Sequence, residues 1–319
     1  MTYAKGTSIL ASDYGNLAGV TTSAAASGAA ATNKAGYLWG VGYGDRGYGQ
    51  TAPALTGLSV GAVETGAEWT NLRTTMSNLA SWQNTAATLL PPSSAVSAGA
   101  AIAAFPAGNS PYAIVDHLAL LDTNRLNYQI GNMAVSSSTT STRGSTWGSG
   151  GAATITCEFS VTFPDENGAR YFFNTGGEIR LALAHPSTLS SRDTSWNTVL
   201  SNLVCAFRAH SSVRLTGSYG TAQAIGYYEL TTAYQNILEG TNIGVGVYSV
   251  NDFYVQAKAL SITGLNGAKG SVLYFKVILT DEYAGVDDTV QSGTNAVLTF
   301  LKASTITSPN VSKAVVTAF

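Results

Sequence analysis

His117, His185 and His210, the adjacent carboxylates Asp165-Glu166, Asp281-Glu282 and Asp287-Asp288, and a glycine-rich loop, Gly40-Val41-Gly42-Tyr43-Gly44-Asp45-Arg46-Gly47-Tyr48-Gly49-Gln50, are the features whose residue types could do chemistry. No histidine has a second ligand at the spacing of a metal site. The carboxylate pairs invite glycoside hydrolysis, which needs an acid and a base facing each other across a cleft roughly 5–9 Å wide. Neighbours in turns beside Gly, Asn or Pro do not meet that geometry and read as solvated turn residues. Asp281, Glu282, Asp287 and Asp288 offer hard oxygen ligands to calcium, but no EF-type loop pattern surrounds them. A phosphate loop must leave a buried strand, open a helix, and carry Lys-Ser/Thr or a distal acid. Here Thr51-Ala52-Pro53 follows, so the Tyr-Gly alternation reads as an extended loop packed by its own aromatics. A Gly-x-Ser-x-Gly elbow for a nucleophilic serine is absent. Trp39, Trp69, Trp82, Trp147 and Trp196 could stack on sugars, but core or interface anchoring is the commoner use of tryptophan. The expectation is a non-enzyme with no catalytic, cofactor-binding or metal-ligating residues.

Composition narrows the class. The chain has 319 residues, of which 11% are charged and 45% hydrophobic, with a net charge of −2. Average globular proteins carry about 25% charged residues. Gly, Ser, Thr, Asn and Ala fill the gap, which favours β structure and ordered loops over charge-driven disorder. The basic residues are scattered, so a nucleic-acid partner is not expected. No apolar stretch approaches about 20 residues, so membrane insertion is not expected, and the first residues lack the apolar core of a secretory signal. Cys157 and Cys205 sit in strand-like contexts and are expected reduced and buried.

Three regions follow: a helical, loop-rich region over 1–135, a Ser/Thr/Gly linker over 136–151, and a β domain over 152–319. The first region contains a weak repeat. Asp13-Tyr14-Gly15-Asn16-Leu17 matches Glu68-Trp69-Thr70-Asn71-Leu72, each an acid, an aromatic and then Asn-Leu at the start of a helical pattern. Leu72, Met76 and Leu79 continue the second copy at helical spacing, and another helix is expected over 111–130. In the third region, strands are expected over 153–163, 170–174, 178–184, 204–209, 226–231, 246–250, 253–263, 271–280 and 296–303. A polar turn at Asn174-Thr175-Gly176-Gly177 joins two of them, with Asn174 or a glycine at positive φ. A helix is expected near 195–203. The fold class is mainly β: a C-terminal antiparallel β-sandwich preceded by a small, mostly helical N-terminal region.

The order of these motifs resembles the structural proteins of tailed-bacteriophage virions. Two acidic-aromatic-x-Asn-Leu elements flank a Tyr-Gly-Gln segment, and a Ser/Thr/Gly stretch leads into Arg170-Tyr171-Phe172-Phe173-Asn174-Thr175-Gly176-Gly177-Glu178-Ile179. Trp196, then Tyr227-Tyr228-Glu229-Leu230-Thr231-Thr232, then the strand from Asn251-Asp252 to Lys258 complete it. The resemblance implies a non-enzymatic tail, neck or collar, baseplate or fibre component, assembled in the host cytoplasm and located in the virion. Its expected partners are other copies of itself, a homotrimer being the first expectation, and other virion proteins. The alternative is a receptor- or carbohydrate-binding tail protein that contacts a host-surface glycan. Fibre proteins usually carry a long heptad or triple-helical shaft repeat, which this chain lacks.

Overall fold

The computed structural model describes residues 11–18, 34–51, 55, 66–84, 114–128, 130–148, 153–285, 288–304, 306 and 309–319. The chain divides into two compact units. The first comprises Met1–Met133 with Asn174–Gly176 and Ser304–Thr307, and the second comprises Ala134–Phe173, Gly177–Ala303 and Ser308–Phe319. No helix among the described residues is long and apolar enough to cross a membrane.

The first unit contains helices α1 (Ala11–Ala18), α2 (Ala35–Trp39), α3 (Gly66–Trp82) and α4 (Ile114–Thr123). The matched repeat segments lie at the same helical phase. Tyr14 of α1 and Trp69 of α3, the equivalent aromatics, are both buried and meet edge to face at 5.6 Å between ring centroids. Such a pair adds about 0.5–1.5 kcal/mol to the burial of its area. Leu72, Met76 and Leu79 form the buried stripe of α3. Helix α4 is shorter than the expected 111–130, because a turn at 124–126 follows Thr123; residues 111–113 lie outside the described residues.

The second unit is mainly β: two antiparallel sheets, with the core between them. The strands are β1 (Met133–Thr142), β2 (Ala153–Thr162), β3 (Glu178–Ala184), β4 (Leu203–Phe207), β5 (Ser212–Thr216), β6 (Thr221–Ala222), β7 (Gln235–Ile243), β8 (Asn251–Ala259), β9 (Val272–Asp281), β10 (Asn295–Ala303) and β11 (Ser312–Thr317). One sheet has the order β1-β10-β3-β4-β5, the other β11-β2-β9-β8-β7-β6. Period-two burial in β2, β8 and β9 turns Phe159, Phe275 and Ala257 inward across three neighbouring strands. The small Ala257 leaves room for the facing sheet, and Phe207 of β4 meets Phe275 at 5.3 Å. Cys157 and Cys205 are free and buried in this core, and burial pushes each thiol up to about 12.

Three expectations need correction. The described part of the stretch expected as a linker, 136–148, is built into the fold, while 149–151 lie outside the described residues: 136–142 belong to β1, and Trp147 is buried and bridges to Val290. An edge strand with one open side can be built from Ser and Thr without apolar alternation. Residues 170–174 are not a strand but the end of helix α5 (Glu166–Asn174). Asp165 caps its start by accepting the Gly168 N–H at 2.7 Å, and Gly176 ends it at φ +87°. Asn174 is helical, and its amide instead donates to the carbonyls of Gly44 and Gly47 at 3.0 and 2.9 Å within the first unit. The strands expected at 226–231 and 246–250 are 3₁₀ turns at Tyr227–Glu229 and Gly246–Tyr248. Tyr227 is held there by the core: its ring stacks on Phe173 at 4.7 Å, and its hydroxyl donates to the Gly270 carbonyl at 2.9 Å.

Candidate functional site

The densest polar assembly lies at helix α6 (Ser191–Leu200) of the second unit, which is capped by the Ser190 hydroxyl accepting the Asp193 N–H at 3.0 Å. His185 follows β3 immediately, and Thr294 precedes β10. The His185 Nε2–H donates to Asp193 Oδ1 at 2.8 Å, and His185 Nδ1 lies 2.9 Å from the Thr294 hydroxyl. Trp147 Nε1–H donates to that same hydroxyl at 3.2 Å. In the neutral imidazole these partners select the tautomer with the proton on Nε2, and the Thr294 hydroxyl then donates to Nδ1. Ser187 and the Gln291 N–H also donate to Asp193, at 2.9 and 2.7 Å. Burial raises the Asp193 carboxyl, but the Gln291 N–H, His185 and Ser187 outweigh it and hold the group below its ordinary value.

A hydroxyl, an imidazole and a carboxylate in a row have the connectivity of a nucleophilic triad. This one is closed off from solvent. His185, Asp193 and Thr294 are all buried, and the Thr294 oxygen already receives the Trp147 indole. The row instead ties the end of β3 to α6 and to the start of β10.

Arg192, one residue before Asp193, is also fully buried. Its guanidinium donates to the carbonyls of Gly148, Gly285 (2.7 Å) and Tyr283 (3.3 Å), and Nε lies 3.6 Å from Asp281 Oδ2. It sits over the Tyr248 and Tyr283 rings at 5.6 and 5.2 Å. Asp281 also accepts from Trp196 Nε1–H and the Tyr283 N–H. Burial raises its carboxyl against the pull of Arg192 and these donors.

The other residues with chemical potential are likewise engaged in structure. His117 is buried in α4. His210 pairs with Glu229 at 2.8 Å and stacks on Tyr228 at 5.0 Å. Glu166, beside the capping Asp165, accepts from the Thr263 hydroxyl at 2.5 Å. Asp288 accepts the Arg192 N–H at 3.2 Å, while Asp287 lies outside the described residues. Among the described residues, no group of His, Cys, Asp and Glu is placed to hold a metal ion. In the first unit, Arg46 of the glycine-rich loop makes a two-point ion pair with Asp122 at 2.6 and 3.1 Å, and Asp45 pairs with Arg125 at 2.5 Å. Tyr48 of this loop is buried against Trp39, as Tyr-Gly packing requires. The five tryptophans considered for sugar stacking are all buried.

One accessible arrangement escaped the sequence reading. Tyr234 lies on the outer face of the six-stranded sheet, with the ammonium groups of Lys258 and Lys276 4.4 and 4.2 Å from its ring centroid. Tyr274 and Gln256 continue this half-exposed face, and Lys276 stands in register with Glu158. Alternation in β8 placed Gln256 and Lys258 on one face; the approach of Tyr234 required the fold. No protein-family model matches the chain, and no curated protein and no solved structure is similar to it.

Proposed function

We propose that this chain is a non-enzymatic structural component of a tailed-bacteriophage virion, in a tail, neck or collar, baseplate or fibre, acting through protein–protein contacts. The order of motifs described above suggests the particle. The observation that carries the non-catalytic part is the fate of the His185–Asp193–Thr294 row: the one triad-like arrangement among the described residues is sealed in the core. The test is localisation. Antibody raised against the chain should label intact particles, and purified particles that lack the chain would refute the proposal.

A second reading is favoured by one feature, the half-exposed Tyr234, Tyr274, Lys258 and Lys276 face. Tyrosine rings beside ammonium groups suit sugars that carry acidic groups. A glycan array with the full chain separates the readings: retention that Lys258→Ala with Lys276→Ala abolishes supports host-surface binding, and no retention leaves the scaffold.

A further inference from the structure

Lys258 and Lys276 bring two charges of one sign to a single ring. Their ammonium groups lie 4.4 and 4.2 Å from the Tyr234 centroid, and that of Lys258 also lies 5.2 Å from the Tyr274 centroid. Among the described residues, neither ammonium makes a hydrogen bond or an ion pair. A ring attracts an ammonium through its quadrupole but offers no oxygen lone pair, so N–H donors remain for a ligand. The two like charges repel each other, and an anion between them relieves both.

Strand register sets what stands beside them. Between β8 and β9, Lys258 is opposite Tyr274 and Gln256 is opposite Lys276; on the next strand, β2, Glu158 is opposite Lys276. Side chains directly opposite start about 5 Å apart, yet Glu158 is not paired with Lys276. Its carboxylate adjoins the Tyr234 hydroxyl instead: burial, and then Glu158, push that hydroxyl up. The face therefore has two unlike halves, a cationic one over β8 and β9 and an acceptor over β2.

We infer, resting on the host-surface reading above, that Glu158 determines which acidic sugars this face takes: those with one acidic group, seated at Lys258 and Lys276, and an uncharged, hydroxyl-bearing edge over Glu158. Sugar hydroxyls are donors, and an ionised carboxylate accepts from them. A sugar with acidic groups along both edges sets one of them against Glu158. Like-charge juxtaposition of that kind excludes a partner that the two lysines alone would admit.

The experiment is calorimetric titration of the full chain and of Glu158→Gln with two tetrasaccharides. One alternates glucuronic acid with N-acetylglucosamine, and the other is densely sulfated heparin. Glutamine keeps an acceptor oxygen and the shape of the side chain while removing its charge. Glu158→Gln should bind the heparin tetrasaccharide about tenfold more tightly than the parent does, and the singly acidic one within about threefold of the parent. The gain should shrink at high salt. Thermal unfolding checks the variant; if Glu158→Gln does not fold, Glu158→Thr takes its place, a β-branched residue suited to a strand. Equal gains for the two sugars, or no gain for heparin, would overturn the role of Glu158 while leaving lysine-dependent binding intact. No binding to the parent, or binding that survives Lys258→Ala with Lys276→Ala, would remove the host-surface reading and this inference with it.

Discussion

At α6, one arginine and two carboxylates lie entirely out of water; on the outer face of the six-stranded sheet, two lysines and Glu158 lie half in it. The difference in residue choice follows from that placement. A buried cation needs acceptors in several directions, and the flat guanidinium of Arg192 donates to three carbonyls while facing a carboxylate. An ammonium on an open face keeps its water and needs only a ring to lie beside, as Lys258 and Lys276 do at Tyr234. Polar groups inside the sandwich therefore specify how its ends join, and those outside remain available to a partner.

The strongest test removes the buried cation. Arg192→Ala should cost about 3–5 kcal/mol in thermal or denaturant unfolding at neutral pH, because Asp281 is left as an unpaired buried charge. The sign of its pH dependence is fixed by the raised Asp281 carboxyl. A group raised above its unfolded value favours the fold at low pH and loses that contribution as pH rises through the folded value. The deficit of Arg192→Ala should therefore shrink toward pH 4. A deficit independent of pH would mean that packing, not charge, dominates at this end.

Asp193→Asn should cost less, about 1–3 kcal/mol, since it sets an amide against the His185 and Ser187 donors. Asp193 titrates below its ordinary value, so its contribution is present above the unfolded value near 4 and disappears as pH falls through the folded one. The variant should lose part of the acid-side decline in stability. The smallest effect belongs to the outer face: Lys258→Ala and Lys276→Ala should each change stability by less than about 1 kcal/mol. A larger loss there would erase the contrast and make the face part of the scaffold.

Strands β2, β3, β8, β9 and β10 were legible in sequence because each buries one face and alternates accordingly. Strand β1 was not, since its Ser/Thr run carries no apolar signal. The run Arg170-Tyr171-Phe172-Phe173 is too short for periodicity to separate helix from strand. Asp165 and Gly176 did mark the helix, as cap and terminator, and were read as turn residues. The polar row at α6 was out of reach: His185 and Asp193 lie close in sequence, but Thr294 and Asp281 join them only through strand order.

The chain visits the first unit three times, at Met1–Met133, Asn174–Gly176 and Ser304–Thr307. A gene segment encoding that unit alone does not exist as one continuous stretch. A single cut near residue 133 would part Asn174, which belongs to the first unit, from the Gly44 and Gly47 carbonyls that its amide reaches there. An exchange that carries the first unit whole has to keep all three visits.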